Sequence, residues 1–182
     1  MRRIPFVVAV AAFLLSALPA GAEQLELGSA ASSKPYRTIT ANPLALAVGV
    51  FNVEYEQATS NKLSFYVGPQ YYGWSLGDLS LTSVGVNGGL RYFFKGTAPE
   101  GFFAGPGIFL GYASGDFGGS TASAVAWSVG GTGGYTWIFD DIFDLSVGLG
   151  VSYMHAEAAS GGQTAGVSGV VPDLRLALGA AF

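Results

Sequence analysis

The sequence predicts an all-β fold, an eight-stranded antiparallel up-and-down transmembrane β-barrel preceded by a cleaved signal peptide. Three observations carry the prediction. Apolar residues recur at every second position along most of the chain, only 11% of residues are charged while 50% are hydrophobic and 14% aromatic, and tight connections alternate with Gly- and Ser-rich ones. Soluble domains average about 25% charged residues, so this composition suits an apolar environment. Beyond the leader no apolar run reaches the ~20 residues of a spanning helix, which leaves strands as the way across a bilayer.

The leader comes first. Arg2 and Arg3, an apolar run over residues 4–18 and the triplet Ala20-Gly21-Ala22 form the three-part layout of a secretory signal peptide cleaved after Ala22, so residues 1–22 are assigned to it. Pro5 and Pro19 bracket a run too short for a membrane anchor. Residues 23–35 then read as a short periplasmic segment and residues 36–182 as the barrel, with no composition break that marks a second domain. Cysteine is absent, so an exported fold must hold without disulfides. The net charge of −4 becomes more negative once Arg2 and Arg3 are removed, which argues against nucleic acid as a partner.

The first strand is expected over residues 36–42 and its outer turn over residues 43–47. Pro43 is poorly tolerated inside a paired strand, and two periplasmic ends require an even strand count. Phe51, Val53 and Tyr55, opposed by Asn52, Glu54 and Glu56, give the second strand; Leu63, Phe65, Val67, Pro69 and Tyr71, opposed by Ser64, Tyr66, Gly68, Gln70 and Tyr72, give the third. Val84, Val86, Gly88, Leu90, Tyr92 and Phe94 alternate with Gly85, Asn87, Gly89, Arg91 and Phe93 in the fourth. Residues 102–112 and 125–139 supply the fifth and sixth, and Leu145, Val147, Leu149, Val151 and Tyr153 mark the seventh. In the eighth, Leu174, Leu176, Leu178, Ala180 and Phe182 alternate with Asp173, Arg175, Ala177, Gly179 and Ala181. Connections at residues 60–62, 95–100 and 140–141 read as periplasmic turns, and those at 75–80, 114–123 and 156–166 as outer loops. Aromatic residues collect at both strand ends, with Tyr92, Tyr135, Trp137 and Phe139 at one and Tyr71, Trp74, Tyr112, Trp127 and Tyr153 at the other, as membrane girdles do.

The last strand, LRLALGAAF ending on Phe182, resembles the C-terminal assembly signal of outer-membrane proteins, with Leu174, Leu176 and Leu178 at the alternate apolar positions. With the leader and the strand rhythm, nearly the whole mature chain resembles small eight-stranded barrels of the OmpA and OmpX type. That resemblance implies a Gram-negative outer membrane with both chain ends in the periplasm, insertion through the barrel-assembly machinery, outer-membrane lipid as the surroundings, no cofactor and a monomer.

An eight-stranded barrel has a lumen that side chains fill, so a diffusion pore is not expected. Five charges fall on the inward phase: Glu54, Glu56, Arg91, Asp173 and Arg175. An Arg facing lipid at mid-membrane costs roughly 2–4 kcal/mol, which fixes this phase as inward. Pairing of Glu54 or Glu56 with Arg91 and Arg175 is expected, forming a self-neutralising plug.

Catalytic signals are few. His155 is the sole histidine, and in size the chain resembles the membrane-embedded lipid A deacylases of the PagL type, which use His, Ser and an acidic residue. Their His-x-Ser spacing is not met here, because His155 is followed by Ala156 and Glu157, with Ser160 the next hydroxyl; a nucleophile would need another position such as Ser152. The run Gly130-Gly131-Thr132-Gly133-Gly134 lies in a strand and lacks the strand-to-helix context of a phosphate loop, so close packing accounts for it. Asp78 and Asp116 lack calcium-loop spacing, and no Cys or His pair suits a metal. The leading expectation is therefore a non-enzymatic outer-membrane barrel with a structural or surface-contact role carried by its loops. The alternatives are a lipid-modifying barrel enzyme and a soluble periplasmic barrel that carries an apolar ligand. Inward Phe103 and Phe109 favour that carrier, while the outward apolar phase opposes it.

Overall fold

A computed structural model describes residues 36–182, apart from Val48, Asp78 and residues 118–119 and 161–162. The expected leader, the segment 23–35 and Asp78 lie outside the described residues. The elements are β1 (Arg37–Ala41), a short helix α1 (Pro43–Ala47), β2 (Val50–Ala58), β3 (Leu63–Leu76), β4 (Leu79–Thr97), β5 (Glu100–Phe117), β6 (Ser120–Phe139), β7 (Phe143–Ser160) and β8 (Gln163–Ala181). Every strand pairs antiparallel with its sequence neighbours, and β1 meets β8 to close the barrel. Successive side chains of a strand point to opposite faces, so the two-residue apolar period becomes an apolar exterior and a small or polar lumen.

One end is finished by tight turns. Between β6 and β7, Asp140 and Asp141 take φ of 53° and 57° and Ile142 N–H donates to the Phe139 carbonyl at 3.0 Å. Two consecutive left-handed residues define the primed turn whose twist matches a hairpin, and Asp tolerates that region better than most residues. The connection expected over residues 95–100 is shorter than its composition suggests. β4 runs to Thr97 and β5 starts at Glu100, with a bulge between Phe93 and Lys95 absorbing the extra residue.

The three outer loops expected at residues 75–80, 114–123 and 156–166 are a correction. The strands run on through these stretches, and β4 to β8 are 18 to 20 residues long. Pairing continues to Leu76↔Leu79, Phe117↔Ser120 and Ser160↔Gln163. Composition misled because Ser, Gly, Ala and Thr carry no apolar alternation, yet two such strands complete each other's backbone hydrogen bonds as well as any. A strand needs about 9–11 residues to cross a bilayer at a ~45° tilt. These hairpins are therefore about twice as long as a crossing requires.

The seam between β1 and β8 is built differently. The expected first strand shrinks to Arg37–Ala41, and residues 43–47 form a helical turn rather than a loop. Asn42 caps it, its Oδ1 accepting from Ala45 N–H at 3.0 Å, and Pro43 takes the first helical position where no N–H is needed. Closure consists of four ladder pairs, Thr38↔Ala181 to Ala41↔Leu178, extended by Arg37 and Phe182, which exchange backbone hydrogen bonds at 3.1 and 2.9 Å. Above Leu178, β8 pairs only with β7 among the described strands. Pro172 sits in that stretch, where one strand edge has no paired strand among the described residues and a missing N–H leaves no ladder bond unmade.

Candidate functional site

The lumen holds a layer of charges at the level of β2, β4 and β8. Glu54 and Glu56 alternate with outward Tyr55 on β2, Arg91 comes from β4 and Arg175 from β8. Glu54 Oε1 accepts from Arg91 Nη2 at 2.7 Å and from Arg175 Nη2 at 2.8 Å, and its Oε2 accepts from Arg175 Nη1 at 3.1 Å. Arg175 thus grips Glu54 with two parallel bonds, the strongest geometry this pair offers, and its Nε donates to Ser146 Oγ at 2.9 Å. Arg91 Nη1 donates to Glu56, whose other oxygen accepts from Ser64 Oγ. Glu54, Glu56 and Arg91 are each no more than 4% exposed. The Arg91 guanidinium lies 4.0 Å from the Tyr66 ring centre and 5.3 Å from that of Phe103, where the negative faces of the rings attract it.

Asp173, the fifth inward charge, stands apart. It is exposed and accepts a hydrogen bond from Thr132 Oγ1 at 3.2 Å, with no Lys or Arg among the described residues in ion-pair range. Below the ionic layer, toward the tight turns, the lumen is solid. Phe93 and Phe103 meet at 5.8 Å with Ala98 beneath them, and Thr38, Thr136, Asp144 and Ser146 fill the remaining cross-section, each about 1% exposed. Asp144 went unnoticed in the sequence, although extending the β7 alternation down from Ser146 places it on the inward phase.

Above the layer the lumen is not filled, contrary to the expectation for eight strands. A cavity of about 350 Å³ opens there, with Glu54, Arg91 and Arg175 at its floor and Asn42 and Ala45 of the helical turn in its wall. Glycine keeps it hollow. A Cβ on Gly107 would come within 2.4 Å of the Tyr66 hydroxyl and one on Gly89 within 2.7 Å, so the hydroxyl end of Tyr66 rests against both residues. A Cβ on Gly85 or Gly111 would come within 2.5 Å of the Phe109 ring, which lies against the wall in the same way. Within the run 130–134, inward Gly130 faces Ser152 so closely that a Cβ would sit 2.2 Å from its Oγ, while outward Gly131 has nothing nearer than 3.7 Å. Close packing accounts for the inward glycines of that run.

The exterior carries the apolar phase. Leu149, Val170, Ile108 and Leu110 are each more than 60% exposed. Aromatic contacts ring the tight-turn end, with Phe102 on Tyr135 at 4.6 Å, Tyr135 on Trp137 at 4.5 Å and Phe139 on Phe143 at 6.1 Å. Higher up, Trp127 contacts Tyr153 at 5.9 Å and His155 at 5.5 Å. Of the last-strand residues, Leu174, Leu178 and Phe182 are exposed and Leu176 is half-buried. His155 also faces outward, so Ser152, which lines the cavity, is on the wrong face to serve it. The hydroxyl the fold brings to His155 is Ser168 of β8, its cross-strand partner, whose Oγ is 2.7 Å from Nδ1; Glu157 Oε2 is 3.6 Å from Nε2. Ser168 is thirteen residues downstream of His155, so only the β7–β8 register reveals the pair. Asp116 lies in β5, and no cluster of three metal-binding side chains occurs among the described residues.

The comparison with protein families matches residues 20–162 to a family described as "Protein of unknown function (DUF3575)". The chain belongs to this family. The matched region of this DUF3575 member contains Glu54, Glu56 and Arg91 and stops short of Asp173 and Arg175. No curated protein matches the chain.

Proposed function

We propose that this DUF3575 barrel is a non-enzymatic outer-membrane protein with a sealed lumen, whose structural or surface-contact role is carried by the hairpins that outrun the membrane. The observation that supports it most is the inversion of polarity, with large apolar side chains exposed around the outside and charges paired inside. A bilayer rewards that arrangement, while water penalises an exposed apolar surface of this extent. Aromatic clusters at two levels fit the two headgroup regions, and the surplus of about nine residues per long strand carries the hairpin tips roughly 20 Å beyond the hydrocarbon. The same inversion disfavours a soluble carrier of apolar ligands.

Fractionation tests the reading. The full chain is expected in the outer-membrane fraction, shifting in electrophoretic mobility when heated, and in planar bilayers the ionic layer should keep conductance at baseline. Recovery in the soluble periplasm would overturn it.

A second reading, a lipid-modifying enzyme, is favoured by the 2.7 Å contact between Ser168 and His155. Glu157, the group that would orient the imidazole, is more than half exposed and 3.6 Å away, a weak hold in water. Incubation of membranes with wild type and His155→Ala decides it. Equal deacylated lipid from both removes the enzyme, and product from wild type alone establishes it.

A further inference from the structure

The cavity above the ionic layer has a charge character of its own. We infer that it is a binding site for a small organic cation, a short-chain primary ammonium, anchored by Asp173 and seated against Phe109. This site lies inside the barrel and does not depend on which environment surrounds the exterior.

The argument begins with what the floor has left to offer. Arg91 and Arg175 are matched by Glu54 and Glu56, and each terminal guanidinium nitrogen already donates to one of those carboxylates. The face of Arg91 is covered by Tyr66. An anion entering the cavity would therefore find the cationic groups already engaged. The carboxylate left over is Asp173, which lines the same cavity and is held only by the Thr132 hydroxyl. Of the carboxylates that line the cavity, Glu54 is gripped by both Arg91 and Arg175 while Asp173 has neither; Glu56, paired with Arg91, and buried Asp144 lie below, so the lumen carries four carboxylates against two guanidiniums. The one unmatched carboxylate that lines the cavity calls for one positive charge.

The walls supply the rest of the selectivity. Phe109, whose ring is seated against Gly85 and Gly111, lines the cavity and supplies an aromatic wall for a cation, and Met154 adds a polarizable apolar surface. Asn52 and Asn87 also line the cavity, and the Oδ1 of each is buried without a hydrogen-bond partner among the described residues. A rotation of either amide toward the cavity turns that oxygen into an acceptor for ammonium N–H groups. Single-site cavities for small molecules usually run from about 300 to 1,000 Å³, so about 350 Å³ suits a ligand at the small end of that range.

The test uses the full chain folded in detergent and saturation-transfer NMR with three matched probes: n-butylammonium, n-butanol and butyrate. Saturable binding of n-butylammonium is expected, with butanol and butyrate at least tenfold weaker. Asp173→Asn should weaken butylammonium at least threefold, and because Asp173 is exposed the barrel should still form. Ser152→Phe, which puts a ring into the cavity while keeping the Asp173 carboxylate, should abolish binding while the heat-modifiable band is retained. Three results each overturn the site: no saturable binding to wild type, butyrate binding as well as butylammonium, or Asp173→Asn binding unchanged.

Discussion

The lower and upper halves of the lumen are made by the same strands with the same alternation, yet one is solid and the other hollow. Below, Phe93, Phe103 and the Glu54–Arg91–Arg175 layer fill the cross-section. Above, Gly89 and Gly107 let Tyr66 lie along the wall and Gly85 and Gly111 do the same for Phe109. Two strongly attached aromatic rings are thereby removed from the space they would otherwise occupy. The difference teaches that strand number sets the room available, while the placement of glycine opposite aromatic residues decides whether the room is used.

Breaking the solid half should have the largest effect. Arg91→Met leaves Glu56 and part of Glu54 buried without a cation, and removing one partner of a buried pair is expected to destabilise by about 3–5 kcal/mol. Urea unfolding of the refolded barrel measures it, and the double variant Arg91→Met with Glu56→Gln should recover part of the loss, because replacing both partners is often close to neutral. An unchanged unfolding midpoint in the single variant would show that the layer contributes nothing to stability. In planar bilayers the same single variant should stay silent, because Phe93 and Phe103 still fill the cross-section below the layer. Phe93→Ala removes a ring with no solvent exposure and should cost about 3 kcal/mol, at the lower end of the range for large aromatic truncations. A loss under half of that would mean the lower half can collapse around the gap.

The hollow half gives a sharper and smaller contrast. Gly89→Ala would place a Cβ 2.3 Å from the Pro106 carbonyl as well as against Tyr66, so backbone must move and about 1–3 kcal/mol should be lost. Gly131→Ala, whose Cβ meets nothing nearer than 3.7 Å, should change stability by no more than about 0.5 kcal/mol. Thermal unfolding of the pair checks both, and equal melting points would remove the distinction between inward and outward glycines.

Much of this was legible in the sequence. The apolar period placed strands two to eight, and the inward phase collected Glu54, Glu56, Arg91, Asp173 and Arg175 because they alternate with the apolar phase that forms the exterior. Residues with small side chains were less legible. Ser114, Ser123 and Ala156 carry no period, so paired strand and loop look alike until a partner strand is known. Pro43 marks the break after the first strand in the sequence, but the helical form of residues 43–47 shows only once Asn42 is seen to cap it. The contact between Ser168 and His155, and the seating of Phe109 against Gly85 and Gly111, depend on cross-strand register, and register is a property of two strands that neither one spells out.

The seam has a kinetic consequence. Closing the barrel joins Arg37 to Phe182 across nearly the whole described chain, and only five residue pairs repay the entropy of that closure. The hairpins from β3 to β8 form from neighbours in sequence and should assemble first as a curled sheet, with β1 docking last. In unfolding the order reverses: the β1–β8 junction should open while the long hairpins remain paired, so a crosslink between positions 39 and 180, which face each other there, should slow unfolding more than one placed anywhere else in the wall.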